Sequence, residues 1–362
     1  MEIPFLDLRR FDLDLKKSLQ AKFTTMLEEG FFSGGKEVAA LESTIKAKLE
    51  SKYAIALANG TDAIEIALRA LQIGPGDEVI VPSMTWVSTA EAVVMVGAKP
   101  IFWDTDQDGL LASDWDRAIT SKTKAVIPVH LYGKMVNMER LVAKAKTHQL
   151  FVIEDAAQAF GSAQNGKAAG TWGDIGCLSF YPTKNLGALG EAGMCLTQHS
   201  NLEKRIRLLI NHGQPRRDEH SLIGRNSRID TLQAGFLNVM LDRFEEFQLI
   251  RKRQAKRYLD SLMEIKGLNL PEGVLEADHN AHLFVIQSAR RDELRIFLGD
   301  KGIGTAIHYP KTVSEMGIFE SKGNFPNSIK ISTTGLSLPL NPFLLDVEQD
   351  FIIDQVSSFF DE

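Results

Sequence analysis

The 362-residue sequence predicts an α/β fold, a mostly parallel central sheet with flanking helices, followed by a smaller C-terminal α+β domain. Two observations carry this expectation. From about Tyr53 to Leu196, short β-rich runs alternate with helix-like stretches, the pattern of parallel strands joined by crossover helices. Beyond Arg228 the alternation stops, and a long helical stretch gives way to shorter mixed segments. At roughly 150 residues per domain the length suits two units. A large domain over 1–250 and a small one over 251–362 put the boundary inside the long helix.

The expected strands are Glu78 to Val81, Lys99 to Trp103, Ala125 to Val129, Phe151 to Ile153 and Cys177 to Phe180, each short and apolar. Helices are expected over Asp62 to Leu71, after Asn59-Gly60-Thr61, and over Met138 to His148, after Asn137. Both follow residues suited to N-capping. Gly74-Pro75-Gly76-Asp77 and Gly97-Ala98-Lys99-Pro100 read as turns just before strands. Asp230 to Leu262 reads as mostly helical, with Arg251 to Arg257 as a solvated face. In the small domain, strands Leu283 to Gln287 and Thr305 to His308 should flank a helix from Asp292 to Leu298.

With 41 basic and 47 acidic residues the chain carries a formal charge of −6, the wrong sign for coating nucleic acid. The two cysteines, Cys177 and Cys195, are too few for a disulfide scaffold or a cysteine-rich metal site, and no metal is implied. No apolar run approaches the ~20 uninterrupted residues of a membrane-spanning helix. The opening residues do not read as a secretory signal, so a cytoplasmic enzyme without membrane or nucleic-acid partners is expected.

Four local features carry chemistry. Phe151-Val152-Ile153-Glu154-Asp155 is a buried-strand pattern ending in carboxylates, and open α/β sheets bind ligands at the carboxyl ends of their strands. Glu154 or Asp155 should therefore face a crevice. Lys184 lies between an apolar strand and a glycine-rich loop, surroundings that favour the neutral, nucleophilic amine. Gly187, Gly190 and Gly193 form neither a dinucleotide fingerprint nor a P-loop. Asn59-Gly60-Thr61 opens a helix whose free N–H groups suit one phosphate. Trp86, just past a strand end, suits stacking on a planar ring. His130 fits a structural histidine or a site wall better than a base. Together the four features ask for a flat, phosphorylated ligand with a cationic ring nitrogen and a carbonyl, which describes pyridoxal 5′-phosphate.

On these motifs the chain resembles the DegT/DnrJ-type nucleotide-sugar aminotransferases, a family of fold-type I pyridoxal-phosphate enzymes. The resemblance runs from Phe5-Leu6-Asp7-Leu8 to His308-Tyr309-Pro310. It rests on Asn59-Gly60-Thr61-Asp62-Ala63, Gly74-Pro75-Gly76-Asp77-Glu78-Val79, Glu154-Asp155-Ala156-Ala157-Gln158, Ser179-Phe180 with Lys184, and Asn226-Ser227-Arg228-Ile229-Asp230, in that order.

The resemblance implies that Lys184 forms the Schiff base, Asp155 pairs with the pyridine nitrogen and Gln158 lies near the phenolic oxygen. It further implies that Trp86 stacks on the ring and that Gly60, Thr61 and Ser179 hold the phosphate. By the same analogy Asn226 reaches the cofactor phosphate of the neighbouring subunit in a homodimer with shared sites. L-Glutamate would be the donor, leaving 2-oxoglutarate, and a nucleotide-linked keto-sugar the acceptor. His308 and Tyr309 match positions near the bound sugar. Arg228, in the basic stretch His212 to Arg228, would grip a carboxylate or phosphate. Lys184-Asn185-Leu186-Gly187 resembles enzymes acting at C3 of dTDP-linked 3-keto sugars, and the loop from His212 to Asp230 those acting on UDP-linked ones. The related sugar dehydratases carry histidine in place of the lysine, and a catalytically idle regulator would be expected to lose some of Lys184, Asp155 and Gln158. All three are present.

Overall fold

A computed structural model describes residues 2–321 and 323–361. Its strands in chain order are β1 (Tyr53–Leu57), β2 (Glu78–Pro82), β3 (Lys99–Trp103), β4 (Thr123–Val126), β5 (Phe151–Asp155), β6 (Ala163–Gln164), β7 (Lys167–Ala168), β8 (Ile175–Ser179), β9 (Gly193–Thr197), β10 (Phe284–Gln287) and β11 (Gly335–Leu338). The helices are α1 (Leu13–Glu29), α2 (Lys36–Lys48), α3 (Gly60–Ala70), α4 (Ser88–Met95), α5 (Met138–Thr147), α6 (Ser200–Leu209), α7 (Thr231–Asp242), α8 (Phe244–Leu262), α9 (Arg291–Asp300), α10 (Pro326–Thr334) and α11 (Asp346–Asp361).

The central sheet has seven strands in the order β1-β9-β8-β5-β4-β2-β3, and only β9 runs against the others. Side chains alternate across it with a period of two residues. Ala54, Ala56, Ile80, Val152, Leu178 and Met194 enter one core layer. Ile55, Leu57, Val79, Val81, Ile153, Cys177 and Cys195 enter the layer on the other face. Burial on both faces explains why these strands read as continuous apolar runs. The expected caps form: Asn59 Oδ1 accepts from Asp62 N at 2.8 Å, and Asn137 Oδ1 from Arg140 N at 3.1 Å.

A third core lies toward the C-terminus, built on the antiparallel β10–β11 pair with Leu294, Leu298, Ile352 and Val356. Helix α8 serves two cores: Phe244 and Phe247 pack in the sheet layer, Ala255, Tyr258 and Leu262 in the third. Ile3 joins the third core through a bridge to Ile303.

Three expectations need correction. Thr305 to His308 is not a strand. Only Ala306 bridges, to Ser337, because the chain leaves the sheet to bring His308 and Tyr309 to the pocket, and β11 pairs with β10 instead. The stretch from Asp230 to Leu262 is two helices, broken at Arg243. The run Arg251 to Arg257 is a solvated face only in part: Arg253 and Lys256 are exposed, but Arg251 is 4% exposed and donates to the backbone carbonyls of His282 and Leu340, with Gln254 and Ala255 buried beside it. Among the described residues no helix is long and apolar enough to cross a membrane.

Candidate functional site

A cavity of about 740 Å³ opens at the carboxyl ends of the parallel strands. Lining it are Gly60, Thr61, Trp86, Asp155, Gln158, Ser179, Lys184, His308 and Tyr309, nine residues singled out above. They come from the start of α3, the turn before α4, the ends of β5 and β8, the loop after β8 and the segment ahead of α10. Asn226 and Arg228 are not among the lining residues. Asn226 is exposed and bridges Asn211, and the Arg228 guanidinium donates to Asn211 Oδ1.

Alternation along β5 separates the two adjacent carboxylates, so the expectation that either could face the crevice resolves to Asp155. Its Oδ2 accepts from Thr89 Oγ1 at 2.7 Å and its Oδ1 from Ala157 N at 3.2 Å. Thr89 Oγ1 is itself 2.9 Å from Thr85 Oγ1. Glu154 instead lies in the fully buried interior, where Oε1 accepts from Trp172 N (2.6 Å) and Gly173 N (2.7 Å). Its Oε2 accepts from Gly170 N (2.8 Å) and lies 3.0 Å from His130 Nε2. His130 Nδ1 accepts from Val136 N, which leaves the ring proton on Nε2 to donate to Glu154. His130 is thus a structural histidine tied to a structural carboxylate.

Lys184 is held in the loop after β8, its N–H donating to Tyr181 O at 2.8 Å. Burial of its amine depresses the pKa to about 8, with the Asp155 charge pulling the other way. Burial pushes the Asp155 carboxyl above its ordinary value, against the Thr89 and Ala157 hydrogen bonds. The His308 imidazole falls to about 4 through burial and the Lys184 charge, and its Nδ1 lies 2.8 Å from Ser337 Oγ.

Gln158 is oriented by its neighbours: Oε1 accepts from Tyr132 N at 2.6 Å, so Nε2 donates to Tyr309 OH at 3.1 Å. The Tyr309 ring lies 5.3 Å from that of Trp86, which is 55% exposed at the pocket mouth.

At the start of α3 the backbone comes so close to β8 that a Cβ on Gly60 would sit 2.7 Å from Ser179 Cβ. With Asn59 capping Asp62 N, the N–H groups of Gly60 and Thr61 have no partner within the helix. Thr61 and Ser179 add hydroxyls, and Thr61 Oγ1 donates to Ser88 Oγ at 2.8 Å. This donor set fits one phosphate. A buried carboxylate and a half-buried, desolvated amine in the same cavity fit a ring with a cationic nitrogen and an aldehyde, so the residues present suit pyridoxal phosphate.

Sequence reasoning missed Tyr132, Asn185 and His282, which line or brace the cavity, and took the stretch from Thr85 to Ala90 as a site candidate for Trp86 alone, without a role for Thr85 and Thr89. Thr89, Tyr132, Asn185 and His282 are made significant by partners distant in the chain, and Thr85 acts through Thr89, four residues on. For His282, the cluster Asp278-His279-Asn280-Ala281-His282 was a faint signal.

The chain is 40% identical over 346 residues to a UDP-N-acetyl-3-dehydro-alpha-D-glucosamine 3-aminotransferase of Acidithiobacillus ferrooxidans, covering 94% of each. Its fold matches the crystal structure of S. venezuelae DesV in complex with a ketimine intermediate, with a TM-score of 0.96, 36% identity and coverage of 100% of this chain and 99% of the other. NtdA of Bacillus subtilis, solved with bound cofactor PMP, matches with a TM-score of 0.94, 32% identity and coverage of 100% and 86%. The model of the DegT/DnrJ/EryC1/StrS aminotransferase family matches residues 13–357, and the chain belongs to that family.

Proposed function

We propose that this protein is a pyridoxal-phosphate-dependent aminotransferase that moves an amino group from L-glutamate to C3 of a nucleotide-linked 3-keto sugar. The observation that carries the reading is the shared cavity of a half-buried Lys184, its amine pKa lowered to about 8 by desolvation, and a buried Asp155 carboxylate at the strand ends. When bound, pyridoxal phosphate supplies an aldehyde that bonds to amines and a ring that takes up electrons when a neighbouring C–H bond breaks.

Gly60, Thr61 and Ser179 would hold its phosphate, Asp155 its ring nitrogen, Gln158 its phenolic oxygen and Trp86 one ring face. Lys184 Nζ would hold the aldehyde carbon in the resting protein. In one half-reaction Nζ takes the proton from the donor's Cα, and in the other it delivers a proton to the sugar carbon. An amine near neutrality does both, since neither accepting nor releasing the proton is then steeply uphill. His308 and Tyr309 border the sugar.

Asn226 and Arg228 lie off this cavity in one chain, which supports a homodimer in which each reaches the partner's site, Arg228 toward a substrate phosphate or carboxylate. The exposure of Trp86 and Tyr181 at the mouth supports the same assembly. The 3-aminotransferase relative supports C3 as the position aminated. We further propose a cytoplasmic location, consistent with two buried free thiols, and a domain division near residue 250, inside α8.

The test is borohydride reduction of the cofactor-loaded protein followed by peptide mapping, together with a panel of UDP- and dTDP-linked amino sugars run in reverse with 2-oxoglutarate. The expected results are a cofactor adduct on Lys184 and loss of the amine from a 3-amino sugar. Undiminished transamination by Lys184→Ala would overturn the assignment.

A further inference from the structure

The cavity that Lys184 lines also carries a histidine that feels the Lys184 charge and whose hydrogen-bond role is fixed by its partner's chemistry. His282 is 7% exposed and lines the pocket. Its Nδ1 lies 2.8 Å from Asn185 Oδ1, the side chain next to Lys184 in sequence. The other end of the Asn185 amide is 3.1 Å from the backbone carbonyl of Asn280 and 2.8 Å from Gln248 Oε1. A carbonyl accepts only, so that end is the NH₂ group and the end facing His282 is the oxygen.

Nδ1 must then donate, and a neutral ring keeps a bare lone pair on Nε2. Nε2 has no protein partner among the described residues, and neither does Lys184 Nζ. The backbone that carries the ring is anchored, His282 N donating to Asn280 Oδ1 at 2.9 Å and Asn280 Nδ2 to the carbonyls of Gln158 (2.9 Å) and Phe160 (3.0 Å), and the Asn185 contact holds the ring's Nδ1 edge. Burial holds the imidazole well below its ordinary pKa, and the charges of Lys184 and Arg251 and the rings of His308 and His279 act in the same direction.

We infer that His282 is a positioning residue for Lys184, its Nε2 lone pair accepting a hydrogen bond from the Lys184 ammonium whenever that amine is free of the cofactor. The need arises from the reading proposed above, on which the inference rests. Between taking up a proton and delivering it, Nζ is an ammonium in a site where burial opposes the charge. Asp155 would be engaged by the ring nitrogen in the loaded protein. Of the other groups bordering the cavity, Glu91 and Glu191 are exposed, Asp62 is paired with Arg225, and Tyr309 OH accepts from Gln158. His308 also feels the Lys184 charge, but its Nδ1 lies 2.8 Å from a Ser337 hydroxyl that can donate or accept, so that contact does not assign its ring proton. His282 is the buried ring whose partner assigns the lone pair to Nε2.

The test measures the pH dependence of Lys184 labelling by an amine-directed reagent, read by peptide mass spectrometry. It is run on cofactor-free and pyridoxamine-phosphate-loaded protein, alongside ¹⁵N-histidine NMR of the ring tautomer. His282→Asn keeps a donor toward Asn185 and deletes the acceptor, whereas His282→Gln puts an amide oxygen near the Nε2 position. The expected results are a ring proton on Nδ1 and a Lys184 midpoint about one unit lower in His282→Asn, a tenfold loss of ammonium. In His282→Gln the midpoint should return toward that of the wild type. A proton on Nε2, or equal midpoints in the wild type and His282→Asn, would overturn the inference. Neither readout uses turnover, so failure of the transaminase reading, seen as no borohydride adduct on Lys184, is separately visible.

Discussion

Glu154 and Asp155 are adjacent carboxylates on one strand, and replacing each by its amide should produce opposite phenotypes. Glu154 accepts four N–H donors, two on each oxygen, at 2.6 to 3.0 Å. In Glu154→Gln one oxygen becomes an NH₂ group that faces two donors, whichever way the amide turns. His130 cannot relieve this by moving its proton to Nδ1, since Nδ1 already accepts from Val136 N. Two buried donors left unsatisfied at about 1–3 kcal/mol each cost the fold about 2–6 kcal/mol. That is a large share of an ordinary domain's stability.

Asp155 accepts only two hydrogen bonds. In Asp155→Asn the amide oxygen still accepts from Ala157 N, and its NH₂ donates to Thr89 Oγ1, whose own hydrogen turns to Thr85 Oγ1. Because burial raises the Asp155 pKa in the folded state, its charge costs the cofactor-free protein stability above the unfolded pKa, and the neutral amide removes that cost. Urea denaturation of cofactor-free protein at pH 7 should therefore show Glu154→Gln clearly destabilised and Asp155→Asn equal to or above the wild type. A pyridoxal-phosphate titration should show weakened ring binding in Asp155→Asn. Equal losses of stability in the two variants would refute the separation.

The Lys184 amine sits at about 8 in the fold, so between there and its ordinary value the unfolded chain holds more protons and stability should rise with pH. In Lys184→Met the part of that rise due to position 184 should vanish, leaving the similar share from Lys252, also lowered to about 8; urea midpoints at pH 8 and pH 10 check it. Gly60→Ala should leave the helix intact, alanine being the better helix former, while its Cβ, 2.7 Å from Ser179 Cβ, spreads the phosphate cup. Pyridoxal-phosphate affinity measured by fluorescence should fall about tenfold or more, equivalent to ~1.4 kcal/mol, and unchanged affinity would count against that phosphate site.

Much of the large domain was legible because its strands are buried on both faces and two of its helices, α3 and α5, start at asparagine caps, signals that are local in sequence. Lys184, Asp155 and the Gly60 turn were legible for the same reason, each standing where a strand ends and a loop or helix begins. The small domain was harder. Thr305 to His308 has strand composition, but its neighbour in the fold is the pocket wall, while Gly335–Leu338, with little strand character of its own, takes the place beside β10. Arg251 looked like one of a charged run and proved buried, its guanidinium meeting two backbone carbonyls from segments far along the chain.

The order of residues alone therefore determined the alternating architecture, the family and the group of side chains from which the chemistry is drawn, because periodicity, caps and motif spacing are written in neighbouring positions. Tertiary structure decided which of two adjacent carboxylates faces the cavity, which end of the Asn185 amide faces His282 and so which imidazole nitrogen keeps its lone pair. Those outcomes depend on donors and acceptors tens of residues away, and a hydrogen-bond partner has no address in the sequence until the chain has folded around it.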